Sequence, residues 1–452
     1  MASFVKFEEP GIFMKRATLF VLFLMVMVPS YARGEEIIKK DQILTLEQCI
    51  DITLKRQPTI LAASYTVMSN ESGVGQALSN YYPQVGVSTG YSRNYNAAAV
   101  RTIGSTAVIP GSLTNVTTSY FNQYSAAATL TQLVYDFGKT ASTVDIAKLA
   151  VTSSRSDLET TTELSVLAVK QAYYGVLEAE RNRVVAIETV REMDLHLSQA
   201  KGFYAVGTHP KFDVTTAEVN LSNAKLNLIQ VENALRIAKV TLNNAMGVPD
   251  APSYSIEDNL SYVAYIVTID EAIARAYANR PDLLSIIAKR QSAERSIDLA
   301  KTGYYPSLTS GINFGWTGDN FPLQNGWNVG VSLNFPLFSG FLTKYQVEQA
   351  RANLNVAKEN EDSLRLSVLL DVQQSFLNLK QAEESIPTTE LTVRQASENL
   401  ELANGRYAAG VGSPVEVTDA EVAYSNAKTA HNQALYSYKI AQASLEKAMG
   451  MK

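Results

Sequence analysis

One short motif in the sequence has the spacing of a catalytic site. Residues 86–90 read GVSTG, which matches the nucleophile elbow, where a serine between two glycines attacks an ester or amide. That chemistry needs a sharp turn from a strand into a helix and a histidine as base. Here the motif lies in a stretch of alternating apolar and small polar residues, which predicts the interior of a strand. We therefore expect the motif to be structural and the protein not to be an enzyme.

The three histidines and the single cysteine do not form a catalytic or metal-binding pattern. His196 lies in a long helical stretch, His209 lies in a loop, and His431 falls on the apolar seam of another helix. Cys49 lies in an apolar pattern without a disulfide partner, so we expect a small core residue. No cluster has metal-ligand spacing, so we expect no metal and no cofactor. The formal net charge of -5 argues against a nucleic-acid partner.

The N-terminus has the pattern of a secretory signal peptide. The sequence MKR is followed by an apolar run at 17–28 and then by small residues that end at Ala32. The run is well short of the roughly 20 apolar residues that cross a bilayer as a helix. We place cleavage after Ala32, so that residues 1–32 are the signal peptide, and the translation start is either Met1 or Met14.

The remainder of the chain is one unit written twice. Residues 46–58 align with 269–281 at an offset of 223, and from Gln171, which aligns with Gln374, the offset is 203. A repeat of this length indicates a duplicated domain half and not a solenoid.

The alignment sets the domain boundaries. We place the first structural repeat at 33–247, a linker at 248–266 and the second structural repeat at 267–452. The change of offset falls between residues 83 and 132 and leaves the first repeat 20 residues longer. We expect these residues to form a longer extracellular loop near 94–118.

Two stretches at matching places in the repeats are almost free of charge. Between residues 80 and 135 the charged residues are Arg93 and Arg101, and between 302 and 343 there is Asp319. The chain has 83 charged residues in total, so this depletion needs a physical cause.

Alternating patterns within these stretches predict strands. Apolar and small polar residues alternate at 312–317 and again at 328–335. A strand of a soluble sandwich carries charges on its outer face, whereas a membrane strand faces lipid on one side and a lumen on the other. The missing charges, segments of about 9 to 12 residues and clustered aromatic residues therefore favour membrane strands. Four strands cannot close a barrel, so the chain must oligomerise, with eight strands from two chains or twelve from three.

Long helices follow each pair of strands. Residues 138–203 contain no proline and predict a helix of about 65 residues and about 100 Å, and a turn at 207–210 leads into a second helix at 212–245. Along the second helix, apolar residues recur at alternating steps of four and three, which is typical of a supercoiled helix pair. The second repeat keeps this seam at 420–448. We expect one coiled-coil hairpin per repeat, located in the periplasm.

Several motifs occur in the same order in both repeats. They are Tyr-Pro at 82–83 and 305–306 and the tip sequences YAVG at 204–207 and YAAG at 407–410, and the second repeat adds the step NFPLFSG from strand to helix at 334–340. With these motifs around matching seams and strands, the sequence resembles the TolC family of outer-membrane efflux proteins over essentially the whole mature chain.

The resemblance implies a mainly α fold with membrane β structure. Three chains would form a homotrimeric tunnel with a twelve-stranded β-barrel, four strands per chain, that continues into a twelve-helix α-barrel of long coiled-coil hairpins. The barrel would contact the lipid of the cell outer membrane, and the tunnel would extend into the periplasm, with the linker in an equatorial belt.

The resemblance also implies the function. The protein would be a passive exit duct of a tripartite efflux or type I secretion system. Its periplasmic tip would be opened by a periplasmic adaptor (membrane fusion) protein and an inner-membrane transporter of the RND, ABC or MFS type. Drugs, metal ions, dyes, siderophores and proteins are all possible cargoes, since the pump normally sets the specificity.

The resemblance carries four gate residues onto this chain. Asp213 and Tyr407 fall where the family uses an acid and a tyrosine to tie neighbouring hairpins shut. Glu416 and Asp419, three apart on one helix face, fall where members place acidic rings facing the lumen. Three copies would gather six carboxylates, which favours cations and raises some pKa values. The alternative interpretation is solvation or charge matching with the helix N-terminus that follows Pro414.

The tip turns and the adaptor contact are expected at Tyr204, Gly207, Gly410 and Gly412. Some family members have an arginine at the position of Gly412, where it completes a salt bridge to the acid. The lock is therefore expected to be weaker in this chain, or to use Lys211 or His209 instead.

A rival hypothesis is a trimeric coiled-coil surface protein with a β-barrel anchor. Such a stalk would share the helices, the strands and the trimer. It requires neither the duplication nor tip loops with matched glycines and acids. A conductance measurement distinguishes the two hypotheses, because a stalk forms no large gated pore.

Overall fold

The computed structural model describes residues 38–96 and 119–451. The signal peptide placed at 1–32 lies outside the described residues. So does most of the loop expected near 94–118, although residues 94–96 belong to a strand.

The first repeat has two short helices, two long strands and two long helices, preceded by a two-residue strand. In chain order these elements are β1 (Ile43–Leu44), α1 (Leu46–Arg56), α2 (Pro58–Leu78), β2 (Gln84–Asn96), β3 (Ser119–Tyr135), α3 (Lys139–Ala205) and α4 (Lys211–Met246). Helix α1 begins with a capping box, in which the Thr45 hydroxyl accepts from the Gln48 amide at 3.2 Å and the Gln48 side chain accepts from the Thr45 amide.

The second repeat has the same order of elements. After the two-residue strand β4 (Ser255–Ile256), which lies in the linker, they are α5 (Ile269–Asn279), α6 (Pro281–Lys301), β5 (Ser307–Gly318), β6 (Gln324–Asn334), α7 (Leu342–Ala408) and α8 (Pro414–Ala448). Helices α2 and α6 both start with a proline. Proline is suited to the first helical position, where the amide group that it lacks would have no partner within the helix.

Residues 38–43 and 251–255 form a small unit of their own. In this unit the Asp41 amide donates to the Ser253 carbonyl at 2.7 Å, and the Ser255 amide donates to the Gln42 carbonyl at 3.0 Å.

The four long strands form one antiparallel sheet in the order β2, β3, β5, β6. The register pairs Ser88 with Ala127, Ala128 with Phe314, and Ile312 with Val329. The central β3–β5 pair joins the two repeats, and β2 and β6 are the edges. Within the described residues each edge strand therefore has one side without a strand partner.

The strands of the first repeat are longer than the 9 to 12 residues predicted for a membrane crossing. Strand β2 has 13 residues and β3 has 17. Two cross-strand aromatic pairs lie along the distal part, with ring centroids 5.1 Å apart for Tyr91 and Tyr124 and 4.8 Å apart for Tyr95 and Tyr120. Such pairs stabilise a two-stranded ladder and account for its extension.

The long helices form two hairpins, α3 with α4 and α7 with α8. Helices α3 and α7 each have 67 residues, which corresponds to about 100 Å. The predicted seam packs each hairpin, with Leu221, Ala224 and Leu242 buried in the first and Ala427 and Leu445 buried in the second. Helix α8 also packs against α3, so the two hairpins lie side by side. Among the described residues, no helix combines the length and the apolar character that a bilayer crossing requires.

The predicted core residue Cys49 is fully buried in α1. Burial raises the pKa of its thiol to about 12, so the thiolate needed for reactivity is not formed at neutral pH. Tyr173 is also fully buried nearby, and its hydroxyl donates to the Glu257 carbonyl at 2.7 Å.

Candidate gate at the hairpin tips

The two hairpin turns have the same backbone geometry. Gly207 and Gly410 both adopt the left-handed conformation, with φ of 79° and 76°. In the first turn the Gly207 amide donates to the Tyr204 carbonyl at 3.0 Å, and in the second the Gly410 amide donates to the Tyr407 carbonyl at 3.0 Å. A glycine in this conformation ends a helix without the steric cost of a Cβ atom. The matched tip sequences therefore encode two equivalent turns.

Gly412 has a different role, because its backbone lies directly against the end of α7. A Cβ atom at this position would be 2.7 Å from the Tyr407 amide nitrogen and 2.9 Å from the Arg406 carbonyl carbon. Its own amide donates to the Arg406 carbonyl at 3.0 Å. An arginine at position 412 would require another turn conformation. The glycine that replaces the arginine of some family members therefore allows a tighter turn.

Tyr407 lies between the two hairpins of one chain. It is 3% exposed and belongs to a buried cluster with Ala403, Val417 and Ala420. The ring of Phe203 from the first hairpin packs edge-on at 5.6 Å. Its counterpart in the first repeat, Tyr204, is 49% exposed. The same tyrosine thus has opposite environments in the two repeats.

Asp213 lies in the first turn of α4 and faces the same recess as Tyr407. The recess has a volume of about 20 Å³, which suffices for a water molecule. Oδ2 of Asp213 lies 2.9 Å from Nδ1 of His209, four residues earlier. Burial, and then the charge of Asp213, raise the pKa of Tyr407. The structure therefore brings Asp213 and Tyr407 together, although the direct contact of Asp213 is to His209.

The acids of the second hairpin lie on an exposed face of α8. Glu416 is in the first helical turn, and its carboxylate lies 3.3 Å from Nε of Arg406 across the hairpin turn. Asp419 is exposed one helical turn further on. Val417, which lies between them, is 1% exposed, so packing of the opposite face fixes the direction of the acids. Arg406 was not anticipated from the sequence, since it lies ten residues from Glu416.

Polar contacts join the two hairpins above the tips. Thr189 of α3 donates to Ser425 of α8 at 3.2 Å, and Asn432 of α8 donates to Asn182 of α3 at 2.9 Å. Lys428 Nζ lies 2.6 Å from a carboxylate oxygen of Glu188. We name these contacts the inter-hairpin seam.

The serine and the histidines considered for catalysis lie within strands, helices and turns and do not form a catalytic arrangement among the described residues. Ser88 lies in the middle of β2 opposite Ala127, so the strand-to-helix turn of a nucleophile elbow is missing there. His431 is half-buried in the seam of the second hairpin, where Nδ1 lies 3.1 Å from the Thr389 hydroxyl. Burial lowers the pKa of His196, which lines the recess beside Tyr407. Within residues 38–96 and 119–451, no three His, Cys, Asp or Glu residues are arranged to hold a metal ion.

A sheet of charge-poor strands that continues into two long coiled-coil hairpins defines a class of outer-membrane channels. The chain belongs to the outer membrane efflux protein family, whose model matches residues 49–248 and 272–451. The two matched segments each contain a strand pair and a hairpin.

Curated relatives and solved structures agree with this assignment. The chain is 25% identical over 317 residues to outer membrane protein TolC of Vibrio cholerae serotype O1, covering 68% of this chain and 72% of the relative. It is 25% identical over 346 residues to TolC of Escherichia coli K12, covering 73% and 70%. The Campylobacter jejuni CmeC outer membrane channel has the same fold, with a TM-score of 0.74, 19% identity and coverage of 90% and 85%.

These findings confirm the predicted family, fold, function class and location. The protein is an exit duct of an efflux or secretion system that resides in the outer membrane and extends into the periplasm. The matched family covers the strands, the hairpins and the duplication, and it therefore favours the duct over the surface stalk.

Proposed function

We propose that three copies of this chain form one gated tunnel, closed at the periplasmic tips by the hairpins. The observation that carries the proposal is the four-stranded sheet with two open edges. A strand edge in lipid leaves amide and carbonyl groups without hydrogen bonds, at a cost of several kcal/mol each. Pairing β6 of one chain with β2 of the next removes both edges and gives twelve strands from three chains.

The duplication supplies the periplasmic wall. Each chain has two long hairpins side by side, so three chains provide six hairpins and twelve long helices. Repeats at 33–247 and 267–452, joined by the linker at 248–266, place one strand pair and one hairpin in each unit.

The gate is assigned to both tip turns. Asp213 and Tyr407 share one recess between the hairpins, and Glu416 and Asp419 point away from the packed face of α8. Tyr204, exposed at the equivalent of Tyr407, is free to contact the hairpin of a neighbouring chain. Opening then requires the hairpins to move apart at their tips.

The partners follow from the passive nature of the duct. A periplasmic adaptor would contact the tip turns, and an inner-membrane transporter of the RND, ABC or MFS type would supply the energy. The matching family is one of efflux proteins, which supports a duct without catalysis of its own.

Reconstitution into planar lipid bilayers tests the proposal. We expect the purified protein, with the mass of three chains, to form a pore that is mostly closed and opens to a large conductance. A correctly assembled trimer that gives no pore would support a stalk. A monomer that forms a pore would contradict the shared barrel.

A further inference from the structure

A groove lies between the two hairpins above the tips, beside the polar contacts that join them. The proposed gate residues are not part of this groove. The groove has a volume of about 420 Å³ and is bounded by α3, α7 and α8. Glu421 lies in it, two helical turns after the start of α8, which is about 10 Å above the tip turn.

Glu421 is buried without a complete set of hydrogen bonds. Its residue is 3% exposed, and Oε2 has no hydrogen-bond partner within the described residues. Asn404 of α7 lines the same groove, and its amide oxygen is also buried without a partner there. Both atoms are acceptors when Glu421 is ionised, so neither can satisfy the other. A proton on Glu421 converts one acceptor into a donor.

The charges around the groove leave Glu421 without a counter-ion. The charged and titratable groups that face it come from α3, from α7 and from α8 itself: Glu188, Arg191, Glu192, Glu401, Tyr424 and Lys428. Lys428 is bound to Glu188 at 2.6 Å, and Arg191 is bound to Glu192 at 2.8 Å and is largely exposed. The two cations of the groove are therefore already paired with other acids.

This environment favours the neutral form of the carboxyl group. Burial, followed by the negative charge of Glu192, raises the pKa of Glu421 from 4.5 to about 7. Lys428 acts in the opposite direction but does not offset the burial. A buried carboxyl group with like charges nearby therefore keeps its proton at pH values where an exposed glutamate is already ionised.

We propose that Glu421 is a proton-dependent latch between the hairpins, in which the protonated side chain keeps them packed and deprotonation favours their separation. The inference rests on the proposed gate, because separation of the hairpins opens the tip only if the tips form the constriction. Ionised Glu421 requires a hydrogen-bond donor at Oε2, and this atom is buried without a donor among the described residues. Separation exposes the carboxylate and removes that cost.

The direction of the pH effect follows from proton linkage. The packed state binds the proton more tightly than the separated state, where the carboxyl group has its ordinary affinity. Packing is therefore strongest at acidic pH and weakens as the pH rises from 4.5 to about 7. One coupled proton changes the ratio of packed to separated hairpins by at most about tenfold per pH unit.

A bound metal cation is the competing way to satisfy the two acceptors. Among the described residues, no group of three or more His, Cys, Asp and Glu side chains is arranged for a metal. The groove therefore fits a proton better, and the experiment includes a metal as an outcome.

The test compares the wild-type trimer with Glu421→Gln and the control Glu401→Gln in lipid nanodiscs. Glu401 is an exposed carboxylate on the same groove, so the control removes the same charge without the burial. Spin labels on α3 and α8 report the distance between the hairpins from about pH 5 to about pH 9. We expect wild type and Glu401→Gln to separate with a midpoint between about pH 5 and about pH 7, and Glu421→Gln to stay packed throughout.

A second measurement reads the proton directly, even if the glutamine variant assembles poorly. Infrared difference spectra of the wild type should show a protonated carboxyl band that is present at about pH 5, is lost as the pH rises past about 7, and is missing in Glu421→Gln. An ionised Glu421 at about pH 5, or an unchanged pH response in Glu421→Gln, would overturn the latch. So would Mg²⁺ that restores packing at alkaline pH in the wild type only. A latch that titrates as expected without any change of conductance would instead contradict the proposed gate.

Discussion

The two tip tyrosines show how a duplicated residue acquires two roles. Tyr407 and Tyr204 hold equivalent positions, but 3% of one and 49% of the other is exposed. The difference arises because Phe203 of the first hairpin packs on Tyr407, whereas about half of Tyr204 is left uncovered. The exposed tyrosine is thus available to a neighbouring chain.

Removal of the polar groups in the recess should weaken the closed gate. We expect the double variant Asp213→Ala and Tyr407→Phe to raise the single-channel conductance or the entry of antibiotics. Phenylalanine keeps the packing against Phe203, so the hairpins still fold. Tyr345→Phe, at the opposite end of α7, is the matched control. Unchanged conductance in a correctly assembled trimer would refute the assignment of the gate.

The acids of α8 should contribute unequally to ion selectivity. We expect Asp419→Asn to reduce the preference for cations more than Glu416→Gln, because Arg406 already compensates part of the charge of Glu416. Reversal potentials in a salt gradient measure the effect. A larger effect of Glu416→Gln would mean that the pair with Arg406 is broken in the trimer.

The sequence predicted the turn residues of the tips but not all of the ion pairs around them. Motif positions predicted both turn glycines, which adopt the left-handed conformation, and the assignment of the four gate candidates stays a prediction. The sequence named His209 as a possible partner of Asp213, and the structure places its Nδ1 2.9 Å from Oδ2 of Asp213, in the loop before α4. The pair of Arg406 and Glu416 could not be anticipated, because it depends on how the turn folds back.

At the scale of the elements, periodicity predicted the helices well and the sheet less completely. A seam of 3.5 residues fixes which faces of two helices meet, and the hairpins follow it. A period of two in a strand fits any register shifted by two residues, so pairing of β3 with β5 was not determined by the sequence. The extension of β2 and β3 depends on cross-strand aromatic pairs, which need that register.

Alternation in β6 leads to a test of its two faces. Val329 lies on the apolar face opposite Ile312, and Asn328 lies on the polar face opposite Asn313. We expect Val329→Arg to destabilise the barrel by about 2 to 4 kcal/mol near the membrane centre, and Asn328→Arg to have little effect. Urea unfolding from lipid vesicles measures the difference. Equal losses would mean that the apolar face is not the lipid face.

At the scale of the whole molecule, the polar contacts of the inter-hairpin seam suit a joint that opens. A hydrogen bond between neutral groups contributes about 1 kcal/mol net, since water replaces it on separation. Thr189 with Ser425 and Asn182 with Asn432 are bonds of this kind. An apolar seam of the same area would resist separation more strongly.

A covalent link across the seam should hold the gate closed. We expect a disulfide between Thr189→Cys and Ser425→Cys, whose hydroxyls lie 3.2 Å apart, to abolish opening until a reductant is added. The native Cys49 is fully buried and should not interfere. Conductance before and after reduction measures the effect, and Thr189→Cys alone is the control. Opening of the oxidised double variant would show that the hairpins move together as one body.

The alternating strands also affect how the chain reaches its destination. A protein bound for the outer membrane must first pass the inner-membrane translocon, which diverts long apolar segments sideways into the lipid. Strands β5 and β6 have 12 and 11 residues, and every second one is small or polar in their central parts. Neither therefore provides the roughly 20 consecutive apolar residues that would arrest translocation. The pattern that later builds a membrane wall thus lets the unfolded polypeptide cross the first membrane and enter the barrel assembly route.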